Sequence, residues 1–263
     1  MEVNAGGSDK GLRKLSSNAL KIIACVCMVV DHVGIVFMDN NSIMRAVGRL
    51  AFPIFAFLLV QGLLHTSSVK RYLLRLVIFA VVSEIPYDMA MHDTVWYPGA
   101  QNIFFTLAAG LFAIYAMEGR GPLRKWSAEI ALAAALLAEF LRFDYGMAGV
   151  GIIILFYLCE RERDGEPSSH DMELVRGRNT ADSKIKTGGG DKHYFSRKQN
   201  LEIVVVSSIV YILCLGMGQM YALLAMVPVN MYSGERGKLD LKYFFYLFYP
   251  LHLLLIWFIW KSL

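Results

Sequence analysis

The sequence predicts an all-α protein: a polytopic membrane bundle of about nine transmembrane helices. Hydrophobic residues make up 56% of the 263 positions, and they fall in apolar runs that repeat along most of the chain. Basic residues concentrate between these runs, as they do in cytoplasmic loops. The net charge of +4 is modest, so we expect no nucleic-acid partner. The cysteines lack zinc-site spacing, and no metal is expected.

The apolar runs define the predicted spans. Leu201–Met231 is too long for one helix across a hydrocarbon core of about 30 Å, and the stretch around Gly216–Gln219 is expected to divide it into two spans. The other predicted spans are Leu20–Met38, Arg49–Leu64, Tyr72–Met91, Asn102–Met117, Ser127–Leu141, Met147–Cys159 and Tyr243–Trp260.

The distribution of Lys and Arg predicts a cytoplasmic N-terminus. With this orientation the basic residues of the N-terminus, of 70–71, of 120–125, of the long 160–200 segment and of 236–242 all lie inside. The outside segments hold Arg45, Arg49 and Arg142 and little other basic charge. The expected location is the inner (cytoplasmic) membrane, with many passes and contact with membrane lipid.

One compositional break divides the chain. Residues 161–200 are densely charged and contain three consecutive glycines, a composition that does not bury enough apolar surface to fold alone. The predicted organisation is an N-terminal membrane bundle over 1–160, a cytoplasmic and largely disordered linker over 161–200, and C-terminal transmembrane helices over 201–263.

The first span carries Asp31 and His32 near its middle. An ionisable group at bilayer depth costs roughly 2.5–3.5 kcal/mol, so such groups usually mark function. His32 shares one helix face with Lys21, about 16 Å away along the axis. A neutral histidine at this depth can act as a general base, with Asp31 beside it as support. The alternative is a structural histidine bonded to a backbone carbonyl.

Further polar residues lie in the outer halves of other spans. Glu84 and Asp88 share a face of the third span, and Pro86 between them is expected to open the backbone. For Asp88 an exposed interfacial turn is equally consistent with the pattern. Arg49 is expected to pair with one of these carboxylates or with Asp31, or else to extend to the surface.

Two more polar candidates are Asn102 and His252. Asn102 opens the fourth span, either as an N-cap or as a substrate ligand. In the last span, His252 lies at a depth close to that of His32, beside Pro250. The stripe formed by Tyr243, Tyr246 and Tyr249 is predicted to serve packing.

Several segments resemble the TraX family of membrane proteins, which is named for the conjugative-plasmid protein that N-acetylates F-pilin. The resemblance covers roughly residues 18–117 and 240–260. It rests on the segments MVVDHVG, GRLAFPIFAFLLVQG, YLLRLVIFAVVSEIPYDMA, NIFFTL and FYPLHLLLIW. The Lys21-x10-His32 spacing is also similar to the basic-x10-His signature of membrane acyltransferases that use cytoplasmic acyl-CoA.

This resemblance implies an acetyl-CoA-dependent acyltransferase with His32 as the catalytic residue and Asp31 as its support. Cations on the cytoplasmic side would bind the phosphates of the acyl donor; the candidates are Lys21, Lys70, Arg71, Arg75, Arg124 and Lys125. The acceptor would approach through the outer half of the bundle, where the candidate binding residues are Arg49, Glu84, Asp88, Asn102 and His252.

By resemblance, the acceptor is the N-terminal amine of a pilin-like protein. The alternatives are an O-acyltransferase acting on a sugar, lipid or small molecule, and, from a different class, a proton-coupled transporter. Against the transporter stands the absence of an inverted sequence repeat of the kind many transporters contain.

Overall fold

The computed structural model describes residues 15–118, 122–165, 217–237 and 241–263. The helices are α1 (Ser17–Phe37), α2 (Ser42–Gly48), α3 (Ala51–Leu64), α4 (Val69–His92), α5 (Ile103–Glu118), α6 (Pro122–Lys125), α7 (Ser127–Phe140), α8 (Gly146–Gly165), a 3₁₀ segment (Met217–Ala225), α9 (Met226–Asn230) and α10 (Lys242–Ser262). Most of the predicted linker over 161–200 and the first predicted span within Leu201–Met231 lie outside the described residues.

The described part of the chain is all-helical, as predicted, with two isolated β-bridges and no strand. Three described helical stretches are long and apolar enough to cross a membrane: Ser17–Phe37, Ser42–Leu64 and Tyr243–Ser262. Shorter apolar helices run over Ile103–Glu118 and Gly146–Glu160. The count of nine spans and the orientation of the N-terminus stay predictions.

Side-chain caps set the starts of three helices. The Ser16 hydroxyl accepts a hydrogen bond from the N–H of Ala19 (3.3 Å) at the start of α1. Asn41 caps α2, and Ser68 caps α4 in the same way. Each cap satisfies a backbone donor that the first helical turn leaves unpaired.

Residues 39–48 lie between the first two predicted spans, and most of this segment forms α2. Asp39 and Asn40 turn the chain with positive φ values of 47° and 61°, a conformation that these residue types tolerate well. The cap at Asn41 then starts a helix that packs back along α1. Gly34 permits this packing, because a Cβ there would lie 2.6 Å from the Cβ of Met44.

Helix α4 differs from the prediction, because it continues through Pro86 instead of opening there. Proline removes one backbone donor and usually kinks a helix. Here the surrounding residues Ser83, Glu84, Pro86 and Asp88 are all buried. The continuous helix places the carboxylates of Glu84 and Asp88 one turn apart on the same buried side.

The helices run alternately between two ends of the bundle. At the basic end, where α1, α4 and α10 begin, Leu15 pairs with the connection that follows α9: its N–H donates to Met231 O (2.9 Å), and its C=O accepts from Ser233 N (2.8 Å). At the opposite end, Gln101 pairs with Phe143 in the second β-bridge. The first pairing ties the start of α1 to the C-terminal part of the chain. The second ties the segment before α5 to the segment before α8.

One hydrophobic core joins the described helices from both parts of the chain. Buried residues of α1, α3, α5 and α8 pack with Tyr249 and Leu253 of α10 and with Ala222 and Val229 of 217–230. Helix α10 packs against α1 and α4. The described C-terminal helices therefore complete the N-terminal bundle, and α10 brings its polar residues next to those of α1.

Candidate functional site

His32 lies on α1 with 8% of its surface exposed. Its Nδ1 lies 2.8 Å from Nε2 of His252 on α10, a buried residue 220 positions away in the chain. The two imidazole rings stack, with centroids 5.1 Å apart and an interplanar angle of 10°. The prediction that the two histidines lie at similar depth is confirmed, and the structure adds that they touch.

The second ring nitrogen of His252 is also engaged. Nδ1 of His252 lies 2.9 Å from the backbone oxygen of Phe248, one turn earlier on α10. Within the described residues, Nε2 of His32 has no hydrogen-bond partner, and this nitrogen remains for another ligand. Both ring nitrogens of His252 therefore have partners within the protein, and its predicted contact with the substrate stays a prediction.

A cavity of about 500 Å³ extends from the basic end of the bundle toward this histidine pair. Lys21 lines it, together with Cys25 and Met28, which lie between Lys21 and His32 on α1. Met28 is one turn below His32, which itself does not line the cavity. The face of α1 that the sequence predicts to join Lys21 to His32 is thus one wall of a cavity that ends next to His32.

Aromatic residues of α10 form another wall of this cavity. Tyr246 and Tyr249 line it, whereas Tyr243 is exposed. Tyr249 also lies edge-on to His32, with ring centroids 6.4 Å apart. The prediction that this stripe serves only packing therefore misses Tyr249, which separates the cavity from the catalytic candidate.

Only some of the predicted phosphate-binding cations reach the cavity. Lys21 and Arg75 line it, as does Arg236, a residue not predicted for this role. Arg75 stacks on the ring of Tyr72 (5.6 Å from Cζ to the ring centroid), and its buried Nε has no partner among the described residues. Four other candidates are outside the cavity lining: Lys70, Arg71, Arg124 and Lys125.

Asp31, predicted to support His32, makes no hydrogen bond to it among the described residues, and the side chain bonded to His32 is that of His252. The Asp31 carboxylate accepts a hydrogen bond from Arg45 of α2, with Oδ2 and Nη1 2.8 Å apart. The physical reason is the helix geometry: consecutive residues of a helix point about 100° apart, and α2 packs on the face that Asp31 occupies. Gly48 allows this, because a Cβ there would lie 2.2 Å from Asp31 Oδ1.

Arg49 lies beside Asp144 and Tyr145 and hydrogen-bonds to the latter, so the expected pairing with Glu84 or Asp88 is wrong. Asp31 is close enough to Arg49 to interact electrostatically, although its hydrogen bond goes to Arg45. Burial raises the pKa of the Asp144 carboxyl to about 6, while Arg49 and Arg45 act in the opposite direction. Asp144 lies in the connection between α7 and α8, which places it at the outer edge of the site.

Sequence reasoning missed Asp144 as a site residue. The signal available was the pair of arginines, Arg45 and Arg49, which break the charge rule at the opposite end of the bundle. Two half-buried cations in such a place favour two carboxylate partners, and Asp31 provides only one of them. The connection before α8 provides the second.

Glu84 and Asn102 form a buried pair at the start of α5. The Asn102 amide donates to Glu84 Oε2 (2.5 Å) and to Ala80 O (2.8 Å), and its backbone N–H also donates to Glu84 (3.2 Å). Asn102 Oδ1 accepts from the N–H of Phe104 (3.0 Å). Asn102 thus caps α5, and both residues are occupied by each other rather than turned toward the histidine pair.

Asp88 is fully buried, unlike the exposed turn considered for it. Its Oδ2 accepts from the N–H of Tyr97 (2.8 Å), and its Oδ1 is buried with no partner among the described residues. It therefore holds the connection between α4 and α5 against the bundle. In the described part of the chain, no group of three or more metal-ligating side chains is found.

The fold and this site define a class: an all-helical membrane protein with a buried histidine pair beyond the inner end of a cation-lined cavity. The chain belongs to the TraX family, since the family model described as TraX protein matches residues 16–171. No solved structure matches the chain.

Two curated relatives place the chain within this family. A probable fimbrial assembly protein, FimC of serogroup H1 from Dichelobacter nodosus, is 28% identical over 92% of this chain and 94% of its own length. Protein TraX from Escherichia coli is 31% identical over 55% of this chain and 56% of its own length. The similarity to the fimbrial protein therefore covers more of this chain than the similarity to TraX does.

Proposed function

We propose that this protein is a multi-pass acyltransferase of the inner membrane that moves an acetyl group from acetyl-CoA to an acceptor amine. The observation that supports this most strongly is the cavity beside Lys21, Arg75 and Arg236, which leads along α1 toward His32. This buried histidine uses Nδ1 in its bond to His252, and its Nε2 has no hydrogen-bond partner among the described residues. Its orientation, with the basic end in the cytoplasm, is part of the proposal.

The fit to the acyl donor rests on the charge and shape of the cavity. Coenzyme A carries phosphates at one end and a thioester at the end of a long, thin arm. Arg75 offers a buried N–H with no partner among the described residues, and guanidinium groups bind phosphate strongly. The apolar lining farther in, including Met28, Phe104 and Leu107, suits the arm.

The chemistry assigned to His32 is general base catalysis. The acceptor nitrogen attacks the thioester carbonyl carbon, Nε2 of His32 takes the proton of that nitrogen, and the carbon–sulfur bond breaks. His32 then gives the proton to the departing sulfur. Since a positioned base of this kind contributes about 10²–10⁴-fold in rate, its removal has a large and measurable effect.

The acceptor class is proposed from the relatives. One relative, which matches over 94% of its own length, is named a probable fimbrial assembly protein, and another is named TraX. These names suggest a role connected with pili or fimbriae, and we therefore propose the N-terminal amine of a pilin-like protein as the acceptor. Asp144, Arg49 and the Asp31–Arg45 pair are on the side from which such an acceptor would approach His32.

Transfer of radiolabelled acetyl from acetyl-CoA to pilin N-terminal peptides tests this proposal with the full chain in nanodiscs. Wild type is expected to label peptides with a free N-terminal amine but not the same peptides with a blocked one. His32→Ala is expected to lose at least about 100-fold in rate. His92→Ala, which alters a histidine at the far end of α4, serves as the matched control.

The outcomes separate the candidate functions. Labelling of hydroxyl-bearing sugars or lipids, and not of amines, would contradict the N-acetyltransferase proposal and support O-acylation. No release of CoA with any acceptor would contradict the acyltransferase class. Full transfer by His32→Ala would contradict the role of His32 alone.

A further inference from the structure

The histidine pair has a defined direction of hydrogen bonding. A backbone carbonyl only accepts, so Nδ1 of His252, 2.9 Å from Phe248 O, must carry a proton. In a neutral His252 the other nitrogen, Nε2, is then an acceptor. Nδ1 of His32, 2.8 Å away, must therefore donate to it.

The consequence falls on the far side of the His32 ring. If Nδ1 of a neutral imidazole holds the proton, Nε2 holds the lone pair. The reverse arrangement would direct a lone pair of His252 at the lone pairs of the Phe248 oxygen, which is repulsive. The carbonyl of Phe248 thus determines, through two rings, which nitrogen of His32 is basic.

The ring of His252 is held in this position by its neighbours. It stacks on Phe248 with centroids 5.0 Å apart and lies edge-on to Tyr249 at 5.5 Å. Its exposed fraction is 7%. A rigid acceptor of this kind costs little reorganisation when His32 takes a proton, because the hydrogen bond from Nδ1 persists and strengthens in the charged form.

We propose that His252 is a positioning residue that fixes the tautomer of His32, leaving Nε2 of His32 as the base. This inference deepens the proposed function and rests on it for the catalytic part. In this arrangement His252 touches neither the acyl donor nor the acyl acceptor. The hydrogen-bond direction itself is a property of the folded protein and can be measured without any reaction.

Two substitutions separate hydrogen bonding from packing. His252→Gln retains an acceptor oxygen near the position of Nε2, whereas His252→Phe retains a flat ring and removes the acceptor. We expect His252→Phe to lower kcat about 100-fold, with the KM for acetyl-CoA unchanged. We expect His252→Gln to recover at least about a tenth of the wild-type kcat.

Nitrogen-15 NMR of histidine-labelled protein gives the independent readout, with the His32 signals assigned by their loss in His32→Ala. Wild type is expected to show His32 protonated at Nδ1 and bare at Nε2, and His252→Phe is expected to show a mixture of tautomers. Melting of the variants in detergent establishes that each one is folded.

The results distinguish this inference from the proposed function. If His32 in wild type is protonated at Nε2, the inference is overturned whatever the activity. If transfer requires His32 but His252→Phe keeps its kcat, the positioning role is overturned and the acyltransferase survives. If the tautomer is as stated but no acetyl transfer occurs, the hydrogen-bond direction stands and the proposed function fails.

Discussion

At the scale of single residues, the site depends on how each ionisable side chain is paired. His32 bonds to His252, Asp31 to Arg45, and Arg49 to Tyr145 beside Asp144. Each pairing crosses from one helix or connection to another. An unpaired charge at such depth would cost several kcal/mol, so each pairing is needed for the fold before it is used for chemistry.

Asp144 gives the folded protein a specific dependence on pH. Burial raises its pKa from the ordinary 3.8 to about 6, so between these values the folded protein binds more protons than the unfolded chain. Stability from this group is therefore greatest at low pH and decreases as pH rises to about 6.

Melting temperatures measured from about pH 4 to about pH 8 test this dependence. The Tm of wild type is expected to fall relative to that of Asp144→Asn as pH rises from about 4 to about 6. Asp39→Asn, on an exposed turn, is the control and is expected to show no such shift. A pH-independent difference for Asp144→Asn would contradict the assignment.

At the scale of elements, the pairing of α1 with α2 holds the charged side of the site together. Gly34 and Gly48 allow the two helices to approach until the Met44 and Asp31 side chains meet the opposing backbone. This close approach brings Arg45 within 2.8 Å of Asp31. The α1–α2 hairpin is therefore both a packing unit and the support of one ion pair.

Gly48→Ala tests this packing, because the added methyl would lie 2.2 Å from Asp31 Oδ1. Overpacking of this kind costs about 1–3 kcal/mol, and we expect a lower Tm together with a loss of acetyl transfer. Gly151→Ala is the matched control, since its Cβ meets nothing within 4 Å and alanine favours a helix by about 1 kcal/mol. Equal melting of the two variants would show that the close approach is not present.

At the scale of the whole molecule, the cavity and the histidine pair exist because distant segments share one core. The cavity is lined by residues of α1, α3, α4, α5 and α10 and of the connection after α9. Arg75 and Arg236 are far apart in sequence and line the same cavity. The proposed binding of the acyl donor in this cavity therefore depends on segments from both parts of the chain.

Acetyl-CoA binding by the full chain in detergent tests the role of Arg75. A hydrogen bond to a charged group contributes about 1.5–3 kcal/mol, so we expect Arg75→Gln to weaken the Kd about tenfold or more. Arg142→Gln removes one positive charge from an exposed position at the opposite end and is expected to leave the Kd unchanged. An equal loss in both variants would indicate a general charge effect and contradict a specific contact.

The sequence by itself determined the helical membrane class, the family and the position of His32. Apolar length determines which segments can span a bilayer, and the 3.6-residue period places Lys21, Cys25, Met28 and His32 on one face of α1. Both are local properties, so they can be read from the order of residues. Glu84 and Asn102 stand out in the sequence as polar residues at predicted spans, but spacing does not predict their bond to each other.

Only the tertiary structure decided which polar group supports His32. In sequence Asp31 is adjacent to it and His252 is 220 residues away, yet the hydrogen bond is made with His252. Adjacent side chains on a helix point about 100° apart. The partner of each side chain therefore comes from the helix that packs on its own face. Here α2 packs on the face of Asp31 and α10 on that of His32, so the packing of the helices selects Arg45 as the partner of Asp31 and His252 as the partner of His32.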